Sequence, residues 1–403
     1  MNAVLAFVVV MLVWTVSDWV AKKTGSLLSS LFVASIIFLI GFMTGVFPAD
    51  LLQASSLLGL AGVVVGFIIV HLGTMISLDD FKKQWKTLLI GIATVLGIGV
   101  LLYVAGLVFG GGARGADAYG NLIATGRDFA IAGIGALSGG TISVLIVQEA
   151  ALGVGLTTVA AFPVLIAALQ GLFGFPLTSL LLRREAARLK GEYRAGRLAA
   201  PVVEEAGTAA EGKLPSFLRT TPGTLLSVGV VVLASIGINN LTNGTLNTFV
   251  VALVFGIALR TLGIFKPSVL NGIDAFGLMM LAIMIMVFGP LATLRPADLA
   301  ALAGPLAIAF VFGLVGIAVF SLVVGKLLGY SVPMSIAIGL TSLYGFPGTM
   351  ILSQEAAKSA GETPEEVAAI EGDILPKMIV AGFSTVTITS VIVTSIIAAG
   401  IGR

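Results

Sequence analysis

One stretch of this chain occurs twice. Residues Gly133–Gly155 (GIGALSGGTISVLIVQEAALGVG) align without a gap on Gly339–Gly361 (GLTSLYGFPGTMILSQEAAKSAG). The offset is 206 positions throughout (339 minus 133), and Gln-Glu-Ala-Ala is shared at 148–151 and 354–357. The chain therefore has two halves that must build the same unit, and that unit must tolerate a Gly-rich break in apolar sequence. Paired broken segments at corresponding positions of two halves are the sequence sign of a binding site at the middle of a membrane.

The surroundings are those of a membrane protein: 58% of residues are hydrophobic, 10% are charged and the mean hydropathy is +1.11, far above what a soluble fold leaves exposed. The expected fold is all-α and polytopic, with two inverted repeats of five transmembrane helices plus one re-entrant hairpin each. Residues 1–183 form the N-terminal repeat, with its hairpin at about 129–153. Residues 184–219, polar and without apolar periodicity, read as a cytoplasmic linker. Residues 220–403 form the C-terminal repeat, with its hairpin at about 331–357. The net charge of +2 gives no reason to expect a nucleic-acid partner, because the basic residues sit at the ends of apolar runs. With no cysteine and one histidine, disulfides, thiolate sites and a zinc centre are not expected. The first apolar segment lacks a basic leader and a small-residue cleavage site, and reads as a retained helix.

Runs long enough to cross about 30 Å of hydrocarbon fall near 4–20, 27–47, 57–76, 88–110 and 158–182, and again near 222–239, 246–264, 272–290, 301–325 and 376–400. The duplicated segment lies between the fourth and fifth run of each half. As a hairpin it leaves 18 of the 22 Lys and Arg on one side and only Arg114, Arg127, Arg295 and Arg403 on the other; as a full crossing it gives 14 against 8. The positive-inside rule favours the hairpin and makes the crowded side cytoplasmic. Five crossings per half is odd, so the second half is inverted and both termini lie outside, in the inner (plasma) membrane of a bacterium.

The first hairpin is expected to turn at Ser138-Gly139-Gly140-Thr141 and the second across Ser342-Leu343-Tyr344-Gly345-Phe346-Pro347-Gly348-Thr349. Arms of about 10 residues rise about 15 Å, half the membrane, so the tips meet near the midplane. Backbone that is not helical there must line a cavity or bind something. The helical arm leaving each tip offers free N–H groups and the positive end of its dipole to an anion, and glycine allows close approach. Carbonyls and the hydroxyls of Ser138, Thr141, Ser143, Ser342 and Thr349 suit Na⁺. The competing reading is that the small residues serve close helix packing.

Glu149 and Glu355, with Gln148 and Gln354 beside them, lie about 9–12 Å from the turns by helical rise. They read as groups that cap or bridge the hairpin bases, and secondarily as proton carriers. Asp18 with Lys22, and Asp373 with Lys377, have the i, i+4 spacing of local pairs. His71 reads as a packing residue, and Trp14, Trp19 and Trp85 as interfacial anchors.

This organisation is similar to that of the sodium/glutamate symporters and the related sodium/citrate-type 2-hydroxycarboxylate carriers. The likeness is sharpest at Ser138-Gly139-Gly140, where those symporters carry Gly-Gly-His-Gly and this chain continues with Thr141-Ile142. The second tip, Gly-Phe-Pro-Gly-Thr, departs further from their Gly-rich run. The resemblance implies a homodimer in which a hairpin-bearing domain slides against a scaffold as an elevator, in symport with Na⁺ and without a cofactor. The expectation is a secondary transporter of a small organic anion, a carboxylate or an acidic amino acid. A proton-coupled transporter or antiporter using Glu149 and Glu355, or a channel, is the alternative. An enzyme is not expected, since one histidine leaves too little for a nucleophile–base set. With no arginine near either tip, a bidentate guanidinium clamp is not at hand, which leans the substrate toward a monocarboxylate or a small amino-acid-like anion.

Overall fold

The computed structural model describes residues 1–75, 84–109, 124–198, 213–242, 246, 248–271, 273, 275–294 and 296–403. Arg114, Arg295, Lys82 and Lys83, which entered the charge count, lie outside them, as does the middle of the 184–219 linker. Every regular element among the described residues is a helix. In chain order these are α1 (Ala3–Lys23), α2 (Ser30–Met43), α3 (Leu51–Ala54), α4 (Leu57–Met75), α5 (Trp85–Phe109), α6 (Gly126–Leu137), α7 (Thr141–Gly153) and α8 (Thr157–Arg194). They continue as α9 (Thr221–Leu241), α10 (Thr248–Thr261), α11 (Phe276–Ile285), α12 (Pro296–Ala301), α13 (Ala303–Leu327), α14 (Val332–Leu340), α15 (Gly348–Ala360), α16 (Pro364–Phe383) and α17 (Ser390–Ala398). Tight 3₁₀ turns extend α11 and α14, and a π-helical segment, Ser384–Thr389, joins α16 to α17.

The starts follow from the sequence. Ser29, Thr220, Ser331 and Thr363 each accept an N–H of the first turn on their hydroxyl, and at the last three a proline follows within the first two helical positions, where a missing N–H costs nothing. Each of the ten expected apolar runs carries a helix, and among the described residues seven helical stretches are long and apolar enough to cross a membrane, Pro364–Ala398 counted as one. α2 and α10 are shorter than their runs, at 14 residues each. Gly45 and Gly263 take positive φ just past their ends, the usual glycine stop, and Pro48 and Pro267 follow. α8 is longer than its run: its 38 residues rise about 57 Å. Residues 184–194, expected to begin the linker, continue this helix because Leu182, Ala186 and Leu189 bury one face.

The helices form two compact units, each drawing on both halves of the sequence. The first comprises Met1–Val10, Asp50–Trp85 and Pro201–Val287. In it α4 crosses α10 backbone to backbone: a Cβ on Gly73 would lie 2.3 Å from the Leu253 carbonyl oxygen, and one on Gly256 2.4 Å from that of Val70. Small residues allow this approach. His71 is the buried packing residue expected, its Nδ1 accepting the Leu270 N–H at 3.1 Å and its ring edge-on to Phe276.

The second unit comprises Met11–Ala49, Lys86–Ala200 and Phe288–Arg403. Here α5 and α13 cross at Gly97 and Gly316, where an added Cβ on either would lie within 2.7 Å of the other's carbonyl oxygen. α6 and α7 pack on each other and on α8; α14 and α15 pack on α8 from elsewhere along its length, and α17 packs on α6 and α7. Both copies of the duplicated segment therefore belong to this unit.

Candidate functional site

Each copy of the duplicated segment is a helix, a break and a second helix. In the first, α6 stops at Leu137, Ser138 caps it, and Gly139 and Gly140 take φ of +90° and +91° before α7 starts at Thr141. In the second, α14 tightens into a 3₁₀ turn over Thr341–Leu343. Tyr344 and Gly345 (φ +55°) lead through a cis Phe346–Pro347 bond to α15 at Gly348. The breaks fall where the glycines stand, as expected.

The two breaks meet. A Cβ on Gly139 would lie 2.3 Å from the Ser342 carbonyl oxygen, and one on Gly140 would lie 2.0 Å from the Val386 carbonyl oxygen and 3.7 Å from Ser390 Oγ. A Cβ on Gly345 would reach Val386 Cγ1 at 3.1 Å, and one on Gly382 would lie 2.8 Å from Thr349 Cγ2. The π-helical segment is thus the wall shared by both breaks, and such segments recur at functional sites. Gly348 has a different neighbourhood: its Cβ would strike the rings of Tyr344 and Phe175, so its smallness serves packing. Tyr344 fixes the second break to α8 by donating to Thr178 Oγ1 at 2.9 Å.

The hydroxyls around the breaks separate into two kinds. Some are bonded within their own helix or turn: Ser138 donates to the Gly135 carbonyl (3.3 Å), Thr341 to that of Ile338 (2.7 Å) and Thr385 to that of Ala381 (2.9 Å). Ser143, Ser342, Thr349, Ser390 and Thr394, by contrast, are buried hydroxyls with no hydrogen-bond partner among the described residues. Ser143 and Thr349 occupy the same position of the duplicated segment, 206 residues apart (349 minus 143). A buried polar group left unpaired costs about 1–3 kcal/mol, and several around one wall mark a place that something else satisfies. The donor set is oxygen only, which fits a hard cation. None of the hydrogen bonds to the described residues of the breaks comes from a charged side chain.

The structure thus brings together Ser138, Gly139, Gly140, Ser342 and Gly345 of the residues expected at the site; Ser143 and Thr349 lie in the first turn of the helix that leaves each break, and Gly348 packs against the Tyr344 and Phe175 rings instead. The Thr141 backbone starts α7, and its side chain lies outside the described atoms. The duplicated Gln-Glu pairs stand apart. Glu149 is exposed and Gln148 half-buried, while Gln354 donates to Glu371 Oε1 at 3.1 Å and Glu355 bonds Ser30. Sequence reasoning missed the π-helical wall with Thr385, Ser390 and Thr394. Its signal was the run FSTVTITSVIVTS at 383–395, dense in hydroxyl and β-branched residues that are weak helix formers. No protein-family model matches this chain, and no curated protein matches it.

Proposed function

We propose that the chain is a secondary transporter that carries a small organic anion together with Na⁺, with the site between the two breaks acting as re-entrant hairpin tips. The observation that carries this reading is five buried, unpartnered hydroxyls on the segments that form or wall two glycine breaks whose backbones touch. Ser342, Thr349, Ser143, Ser390 and Thr394 would supply oxygens to Na⁺, with the Ser342 and Val386 carbonyls beside them. The anion would sit at the start of α7, which has no side-chain cap at Gly140. At α15 the N–H groups of Thr349 and Met350 are already taken by the Gly345 and Pro347 carbonyls, at 3.0 and 3.1 Å, so that end has less to offer. With no cationic side chain bonded there, a monocarboxylate or a small zwitterion with one carboxylate in excess fits better than a tricarboxylate.

The elevator reading draws support from the division into two units, because both breaks belong to one of them. That unit would be the moving transport domain, and the other the scaffold of a homodimer. Inversion of the second half rests on the charge asymmetry of the loops. The test is uptake by the purified chain in proteoliposomes, with a panel of labelled mono- and dicarboxylates and acidic amino acids under an imposed Na⁺ gradient. Saturable uptake of one of them that stops when the gradient is abolished is expected. Flux that does not saturate would make the chain a channel, and uptake driven by a pH gradient alone would make the coupling ion a proton.

A further inference from the structure

The duplicated glutamates have different fates. Glu149 is exposed, whereas Glu355 on α15 places its carboxylate at the N-terminus of α2. Its Oε1 accepts the Ser30 N–H at 3.2 Å and the Ser30 hydroxyl as well. Its Oε2 is buried without a partner among the described residues. The backbone joins in: Ser26 Oγ donates to the Glu355 carbonyl at 3.3 Å, and the Ser26 carbonyl accepts the Ser179 hydroxyl of α8. Gly25 and Ser26 both take left-handed φ, +56° and +57°, which bends the chain into this contact. Residues 24–30, α15 and α8 are thus clasped at one acid.

We propose that Glu355 is a proton-binding site: the clasp is seated when Glu355 carries a proton on Oε2, and it loosens when that proton leaves. A carboxylate with one oxygen doubly bonded and the other buried and bare carries uncompensated charge, which a low-dielectric surrounding penalises heavily. A proton on Oε2 removes the charge and keeps both Ser30 bonds to Oε1. The charged groups facing it do not replace that proton. Lys358 of α15 is opposed by Asp18 of α1, and Asp18 is itself paired with Lys22 at 2.7 Å. Arg183 of α8 lies against Gly25, and Glu371 of α16 is bonded to Gln354. The asymmetry with Glu149 argues against a mere requirement of the repeat, since Glu149 is exposed whereas Glu355 has one carboxylate oxygen bonded to Ser30 and the other buried. Glu355 would hold this proton whichever anion is carried, and whether or not one is.

The test needs no transport substrate. In the otherwise cysteine-free chain, Leu28→Cys places a half-buried reporter inside the clasp. Its alkylation by a maleimide is followed against pH in nanodiscs and corrected by the unfolded chain. The expected result is an extra acceleration as pH rises, lost in the Glu355→Gln background, together with loss in that variant of a buried protonated-carboxyl stretch in the infrared spectrum. Ser30→Ala removes a donor that favours the ionised form, so its acceleration moves to higher pH, and this variant decides the matter should Glu355→Gln fail to fold. An unchanged pH response in either variant would overturn the proposal.

Discussion

Removing a buried hydroxyl that has no partner has an inverted sign. Such a group costs about 1–3 kcal/mol, so Ser342→Ala, Thr349→Val and Ser390→Ala should leave the Na⁺-free protein as stable as the parent, or about 1 kcal/mol more stable. On the proposed reading Na⁺ binds the folded state and raises its melting temperature, and each of these variants should weaken that rise. Ser138→Ala, which loses a made bond, should destabilise slightly and keep the Na⁺ response. Thermal unfolding in detergent with and without Na⁺ checks both, and an intact Na⁺ shift in all three hydroxyl variants would leave the site without its cation. The glycines can be sorted in the same way. Gly329 takes φ +85° with nothing near its missing Cβ, so Gly329→Ala should cost only the backbone term, about 1–3 kcal/mol. Gly139→Ala and Gly140→Ala meet a backbone carbonyl oxygen within 2.3 Å as well; they should cost more and end uptake. The breaks were legible in the sequence because Gly139 and Gly345 stand at corresponding positions of the two copies, where a residue that weakens a helix recurs inside otherwise apolar helical sequence. Ser390 and Thr394 were not, because hydroxyls in apolar helices usually bond the carbonyl four residues back, as Ser395 does to Val391 at 2.7 Å, and the letters do not tell the two behaviours apart.

At the scale of elements, α8 is the post on which both broken segments lean, and its polar end ties down the base of the second. Glu185, 1% exposed, accepts from Arg188 at 2.6 Å and from the Ser331 hydroxyl at 2.5 Å, while Ser331 also caps α14. Glu185→Ala should therefore cost about 1–3 kcal/mol, the usual loss for a buried bonded group, whereas Arg197→Ala, which breaks an exposed pair with Glu192, should stay within about 0.5 kcal/mol. Chemical denaturation of the two variants gives the comparison. Beyond Glu185, Lys190 and Arg194 bond Glu362 at 2.6 and 2.7 Å. The Lys190 bond first, then that of Arg194, holds the Glu362 carboxyl below its ordinary value of 4.5. A lowered value means that the stabilisation is present above about pH 4.5 and is lost as the pH falls through the lower folded value. Glu362→Gln should flatten that acid-side loss in a melting series. This polar end was read as linker because its charges hide an apolar face of only Leu182, Ala186 and Leu189. The 3.6-residue spacing was present, but too small a part of it was apolar to outweigh the composition.

For the molecule as a whole, the decisive question is whether each broken segment turns back or passes through. α6 and α7, of 12 and 13 residues, would reach about 37 Å end to end, enough to cross, whereas folded back each arm rises only about 18–20 Å. Their packing against each other favours the folded form, as does the 18-to-4 division of Lys and Arg that it produces. The chain has no native cysteine, so single reporters can be placed without background. Ala124 and Val154 flank the first segment, Leu327 and Ser359 flank the second, and Gly191 lies in the polar end of α8. With an impermeant maleimide on intact cells and on inverted vesicles, Ala124→Cys and Val154→Cys should both label from outside. Leu327→Cys, Ser359→Cys and Gly191→Cys should all label from the cytoplasmic side. The two flanks of one segment labelling from opposite faces would make that segment an ordinary crossing. A crossing by the first segment would give the second half the orientation of the first, a crossing by the second would move the C-terminus to the cytoplasmic side, and in either case the two breaks could no longer serve as the facing tips of an inverted pair.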